Sequence, residues 1–176
     1  MLITASKVVE RALTNNVDTN LILQDVITLT QEDHIRPILG IDFYDELVSE
    51  VEADNLTIDN QAVFDLLEPA LAFFVAYEST EDLNINSTSK GLITNDSEFG
   101  KPATREVAAD WANKKLSQAK RLRDIMIRFI ENEIEDDPAK YPLYQDRIVL
   151  DSKVIKGILF SQDDDITLRD INNLTV

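Results

Sequence analysis

Asp59-Asn-Gln-Ala-Val-Phe-Asp-Leu-Leu-Glu-Pro-Ala-Leu-Ala-Phe-Phe-Val-Ala-Tyr-Glu-Ser-Thr-Glu-Asp-Leu83 is the stretch on which the fold turns. Asp59 or Asn60 at its head can accept a bond from the orphan N–H groups of a first helical turn. From Ala70 to Tyr77 the Tyr77 hydroxyl is the only polar side-chain group. A helix that is apolar on every side is a buried helix. An apolar run this short falls well below the roughly 20 residues needed to cross a bilayer, so the burial is in a protein core. Pro69 has no N–H for the Asp65 carbonyl, which predicts a kink or slack turn between them. The fold class that follows is mainly α: a helical bundle around this buried central helix. Leu67, Leu71 and Phe74 are its expected core residues, met by Trp111 and Leu122 from a later helix.

Composition sets the frame. A chain of 176 residues fits one domain with an arm. The formal net charge of −16 disfavours non-specific binding to DNA phosphates. Solubility explains such a charge, and so does a surface that lies near nucleic acid without sticking to it. There is no cysteine, hence no disulfide framework and no thiolate metal site. The start, Met1-Leu-Ile-Thr-Ala-Ser-Lys, does not lead a charged region into an apolar run. The expectation is a protein without signal peptide or transmembrane segment, made in a cytoplasm-like compartment.

Before the central stretch, Thr4 to Ala12 reads as a short helix with Thr4 as cap and Val8, Val9, Ala12 and Leu13 on one side. Asp18 or Thr19 caps a second helix, with Ile22, Val26 and Leu29 in step, continuing through Ile35 towards Leu39. Pro37 disturbs its end and Gly40 fits the left-handed residue that stops it. Asp42 caps a third helix on which Phe43, Leu47 and Val51 recur by four.

After the central stretch, residues 84–103 mix two glycines and a proline with many Ser, Thr and Asn, while Ile85, Leu92, Ile93 and Phe99 punctuate them. This reads as an extended loop or irregular β-hairpin turning near Lys90-Gly91. Thr104 caps the longest helix, roughly Arg105 to Glu135. Ala112, Leu116, Ala119, Leu122, Met126 and Phe129 form its face. The acids Glu131 to Asp137 at its end oppose the helix dipole, which predicts fraying or basic partners there. Arg147-Ile-Val-Leu and Val154-Ile-Lys-Gly-Ile-Leu-Phe look like strands of a terminal arm whose edges can pair with another subunit.

Reactive chemistry is sparse. His34 is the only histidine, which rules out a histidine-based zinc site or facial triad, and a capping or surface role fits it best. Asp163-Asp164-Asp165 lacks the ligand alternation and turn glycine of a calcium loop and reads as a solvated turn. The four glycines are too scattered for a phosphate loop or dinucleotide fingerprint. No catalytic residue, metal ligand or cofactor is expected. Lys114, Lys115, Lys120, Arg121, Arg123 and Arg128 form a basic stripe, with Lys114, Arg121 and Arg128 seven residues apart. The stripe could meet DNA, but acidic surfaces of neighbouring subunits are the better match.

The run Asp33-His-Ile-Arg-Pro-Ile-Leu-Gly-Ile-Asp-Phe-Tyr-Asp-Glu-Leu resembles the helix–Pro-x-Leu-Gly–helix segment of head–tail connector (neck adaptor) proteins of tailed bacteriophages. The matching positions are Ile35, Pro37, Leu39, Gly40, Tyr44 and Leu47. The order that follows is similar too: an acidic connection, an apolar helix around Pro69-Ala-Leu-Ala, a Lys-Gly-Leu-Ile loop, Lys-Pro-Ala, and a long basic helix with Trp111. The resemblance spans about Leu2 to Glu135 and leaves the tail outside.

What it implies is a non-enzymatic structural protein of the virion neck. Its partners would be copies of itself in a ring, typically a dodecamer, together with the portal protein and other neck or tail proteins. DNA would pass through without sequence-specific binding, and no membrane is involved. Residues 1–137 form the helical connector body and residues 138–176 a C-terminal arm. The subunit or portal interface would draw on Lys90, Leu92, Ile93 and Phe99 of the loop, Lys114, Arg121 and Arg128 of the long helix, and Ile155, Ile158 and Phe160 of the tail. The alternative from another class is an acidic monomeric or dimeric binding adaptor of regulatory type.

Overall fold

Helix caps and breaks set the element boundaries of this computed structural model, which describes residues 1–13, 17–80, 83, 85–88, 91–94 and 104–144. Helix α1 (Ala5–Ala12) begins where the Thr4 hydroxyl accepts a bond from the Lys7 amide at 3.4 Å. Asp18 accepts from the Asn20 amide, but this starts only a 3-10 turn, Thr19–Leu21. Helix α2 (Gln24–His34) follows without a side-chain cap. The expected single helix from Thr19 to Leu39 is therefore three pieces. Pro37 has no N–H to give the Asp33 carbonyl, so α2 stops at His34. Helix α3 (Arg36–Leu39) restarts with Pro37 in its first turn, where the missing N–H has no partner to lose.

Gly40 has φ of 89°, a region that any side chain would disfavour. It closes α3 and opens α4 (Ile41–Glu52) in one residue. Gly40 thus takes the N-cap position expected for Asp42, which lies within the first turn and faces the positive end of the helix dipole. Helix α5 (Ile58–Glu78) is capped by Thr57, two residues before Asp59. The Glu50 carboxylate ties α4 to this start by accepting bonds from the Thr57 amide (3.1 Å) and the Asn60 side chain (2.9 Å). Pro69 lies inside α5. Strands β1 (Ile85–Thr88) and β2 (Gly91–Thr94) pair antiparallel, with Thr88 opposite Gly91 and Ile85 opposite Thr94. Helix α6 (Arg105–Asp136) starts at Thr104, whose hydroxyl accepts from the Val107 amide.

The architecture is mainly α. Helix α5 packs against α1, α2 and α6. Nine of its 21 residues are buried, and from Ala70 to Ala76 only Phe73 is left partly exposed. Val8 of α1, Ile27 of α2, Leu39 of α3, Leu47 of α4 and Met126 of α6 close over the same core. No helix among the described residues is long and apolar enough to cross a membrane.

The boundary expected between Asp137 and Pro138 falls inside the packed unit. Tyr141 and Tyr144 are each only 2% exposed. Their rings lie 5.7 and 6.1 Å from that of Phe43, and the Tyr141 hydroxyl donates to the Asp59 carbonyl at 3.1 Å. The reason is chemical: the acids ending α6 need a cation. Lys140 turns back to pair with Glu133 and with Asp59 (3.5 Å), which brings the two tyrosines onto α4 and α5. The body thus reaches at least Tyr144. The strands expected in the tail lie outside the described residues.

Candidate assembly surface

Helix α6 has two faces, and the helical period decides which residues share one. Ala119, Met126 and Ile130 are buried against the body. Lys114, Arg121 and Arg128 project from the opposite side and are exposed. Ser117, Lys120, Arg121, Asp124, Ile127 and Arg128 border a shallow groove along the outer side. Ile125 is 37% exposed and Val107, in the first turn, 58%. The outer face therefore offers cations together with some uncovered apolar surface.

Charge pairing separates α6 from the rest of the described chain. Lys7 pairs with Glu10, Arg11 with Glu68, Arg36 with Glu32 and Asp45, Arg123 with Asp124, and Lys140 with Glu133 and Asp59. The remaining basic residues, Arg105, Lys114, Lys115, Lys120, Arg121 and Arg128, make no ion pair with a described residue, and all six are on α6.

Lys115 is the exception to the stripe. Its ammonium sits 4.9 Å from the Phe73 ring centre and 5.0 Å from that of Trp111, and it donates to the Ala12 carbonyl at 2.5 Å. Burial moves its pKa down from the ordinary lysine value. The contact puts a cation at the negative end of α1 and between two aromatic faces, fastening α1 to α6. Trp111 and Lys115 are four apart, a spacing that places them on one helical side. Phe73 comes from α5, and nothing local to α6 announces it.

His34 is occupied as well. Its Nε2 lies 2.8 Å from a Glu78 oxygen, and its ring stacks on Phe74 with centres 4.3 Å apart and planes 11° from parallel. It crosslinks α2 to α5. No group of three or more His, Cys, Asp or Glu among the described residues is arranged to hold a metal ion.

The remaining residues named from sequence fall as follows. Leu67, Leu71 and Phe74 are fully buried. Trp111 is half-buried, packed against the core with the Lys115 ammonium over its ring. Leu122 is also half-buried: at about 100° per residue it lies about 60° off the line through Ala119, Met126 and Ile130. Leu92 and Ile93 are in β2, opposite Ser87 and Asn86. Lys90, Phe99, Ile155, Ile158, Phe160 and Asp163–Asp165 lie outside the described residues.

The turn from α2 into α4 is tightly built. Ile35, Leu39 and Leu47 are fully buried, and Tyr44 is 6% exposed beneath the Arg36 guanidinium, 5.7 Å from its ring centre. Glu32 holds Arg36 above its ordinary pKa by hydrogen bond and charge. Burial pushes the Tyr44 hydroxyl up to about 12. A family model described as a family of unknown function, DUF6712, matches residues 35–153, opening on the first residue of this turn. The chain belongs to DUF6712. The DUF6712 match takes in α3 to α6 and the packed tyrosines, and it leaves α1 and α2 outside. No curated protein matches the chain, and no solved structure does.

Proposed function

We propose that this DUF6712 protein is a structural component of a tailed-phage virion: a subunit of a neck ring that joins the capsid portal to the tail and extends the DNA channel. The observation that carries the reading is the turn from α2 into α4. Of the six positions that carry the resemblance, Ile35, Leu39, Gly40, Tyr44 and Leu47 are buried in this turn and the helix after it, and Pro37 is exposed. Ile35, Leu39, Tyr44 and Leu47 fix the inner side of the turn, Gly40 supplies its positive φ, and Pro37 sets the break before it.

In this reading the bundle around α5 is the connector body, and the β1–β2 hairpin or the C-terminal arm reaches the portal or the next ring. The net charge of −16 suits a channel wall, because lumenal cations would hold DNA phosphates during packaging and ejection. The protein acts by shape and charge, as an assembly partner and not as an enzyme.

Two measurements test this. Mass spectrometry of purified particles should find the protein at a fixed ratio to the portal protein. Low-resolution imaging of the protein mixed with its portal should show a ring beneath it. A stable lone monomer that is missing from particles refutes the proposal and leaves the acidic adaptor in its place.

A further inference from the structure

We infer that the cationic outer face of α6 docks on the acidic α2–α4 surface of a second copy of this chain, in a head-to-tail contact. The inference rests on the connector reading only in taking the partner to be another copy. It begins from segregation of charge. Trp111 to Ile130 carries six cations and one anion, whereas the other 156 residues carry eleven cations and 32 anions. Such a molecule as a whole repels nucleic acid but is attracted, cation face to anion face, by its own kind.

Geometry narrows the partner. Lys114 to Arg128 extends about 21 Å along the helix, more than twice the roughly 8 Å screening length at physiological salt. One carboxylate cannot answer all three cations, so an extended acidic surface is needed. On α2 and α4 such a surface coincides with uncovered apolar side chains. Arg36 draws Glu32 of α2 (2.6 Å) and Asp45 of α4 (4.0 Å) to one spot. Leu29, 61% exposed, is one turn before Glu32, and Ile41, 53% exposed, is one turn before Asp45. Asp33, next in sequence to Glu32, and Asp42, next to Ile41, are exposed as well. This surface can meet the α6 cations and also cover Ile125.

The same charges disfavour a symmetric contact of α6 on α6. Two α6 faces laid together would oppose cation to cation, so a two-fold contact through this face is disfavoured. When the two patches of one copy meet different neighbours the contact is heterologous, and each copy that docks still offers both patches. Such a contact continues until it closes into a ring or grows into a filament.

A charge-swap cycle tests the contact, read by mass photometry and sedimentation at about 50 and 500 mM salt. Circular dichroism should show each variant folded. The wild-type protein should assemble at low salt and come apart at high salt. Lys114→Glu/Arg121→Glu/Arg128→Glu makes both patches acidic, and Asp33→Lys/Asp42→Lys makes the acceptor basic. Each variant alone should lose at least tenfold in association, and the two mixed should assemble again in alternation, which misfolded proteins could not do. Normal assembly of either variant alone, failure of the mixture to assemble, or a wild type monomeric at both salts overturns the inference. So does retardation of a duplex DNA that the α6 variant abolishes, since the face would then serve phosphates. If the protein is in virions but the swaps have no effect, this contact falls and the connector reading stands. If the swaps behave as expected for a protein absent from virions, the contact stands and the connector reading falls.

Discussion

Tyr144 and Tyr44 show what burial does to single residues. Burial holds both hydroxyls protonated, with pKa values pushed up to about 12 from 10.0. The folded chain thus keeps two protons that the unfolded chain gives up near pH 10. Their stabilisation is complete below pH 10 and is lost as the pH rises from 10 to 12, by up to about 3 kcal/mol for each. A far-UV circular dichroism titration should show cooperative unfolding in that window, with tyrosinate absorbance rising in step. Tyr144→Phe should move the midpoint upward, and an unchanged midpoint would separate that hydroxyl from alkaline unfolding. Phe74 offers a second test. Phe74→Ala should cost about 3–5 kcal/mol, as a fully buried ring leaves a cavity. His34→Ala removes one stacking contact and one partly exposed hydrogen bond to Glu78 and should cost about 1–2 kcal/mol. Urea denaturation of the two variants gives the order directly. Burial of Phe74 could be read from the apolar run around it. The place of His34 could not, because its partners Phe74 and Glu78 come from a helix 40 residues away.

Among elements, those closed by local chemistry were the readable ones. Thr4 and Thr104 cap α1 and α6 through their own hydroxyls, and Gly40 takes a positive φ where a left-handed residue was expected. Misread boundaries had a tertiary cause. Asp18 caps a turn that does not propagate, and α5 is capped at Thr57, where Glu50 of another helix holds that end. The end of α6 is the plainest case: its acids announced a missing cation, but not that Lys140 would bring Tyr141 and Tyr144 into the core. A truncation pair checks this. A chain ending at Tyr144 should melt with the full-length protein. One ending at Lys140 should lose the cover over Phe43, about 3 kcal/mol or more, and melt about 10 °C lower. Equal melting of the two by scanning calorimetry would return these residues to the arm.

At the scale of the whole molecule, the family match and the folding unit have different limits. The DUF6712 match begins at Ile35, yet the core begins at Leu2. Val8 and Ile27 are fully buried on α1 and α2, both of which pack on α5. Arg11 reaches Glu68, and Lys115 holds the Ala12 carbonyl between Phe73 and Trp111. Without residues 1–34, α5 would turn one side of its apolar run to water, with Phe74 stripped of His34. Segment 35–144 should therefore keep helical far-UV signal but lose fixed packing, with weak near-UV signal, strong binding of a hydrophobic dye and collapsed amide dispersion. Segment 1–144 should show sharp, dispersed amides and a single cooperative transition. Well-dispersed spectra from 35–144 alone would mean that α1 and α2 are added layers on a self-sufficient unit, and the core described around α5 would have to be redrawn without them.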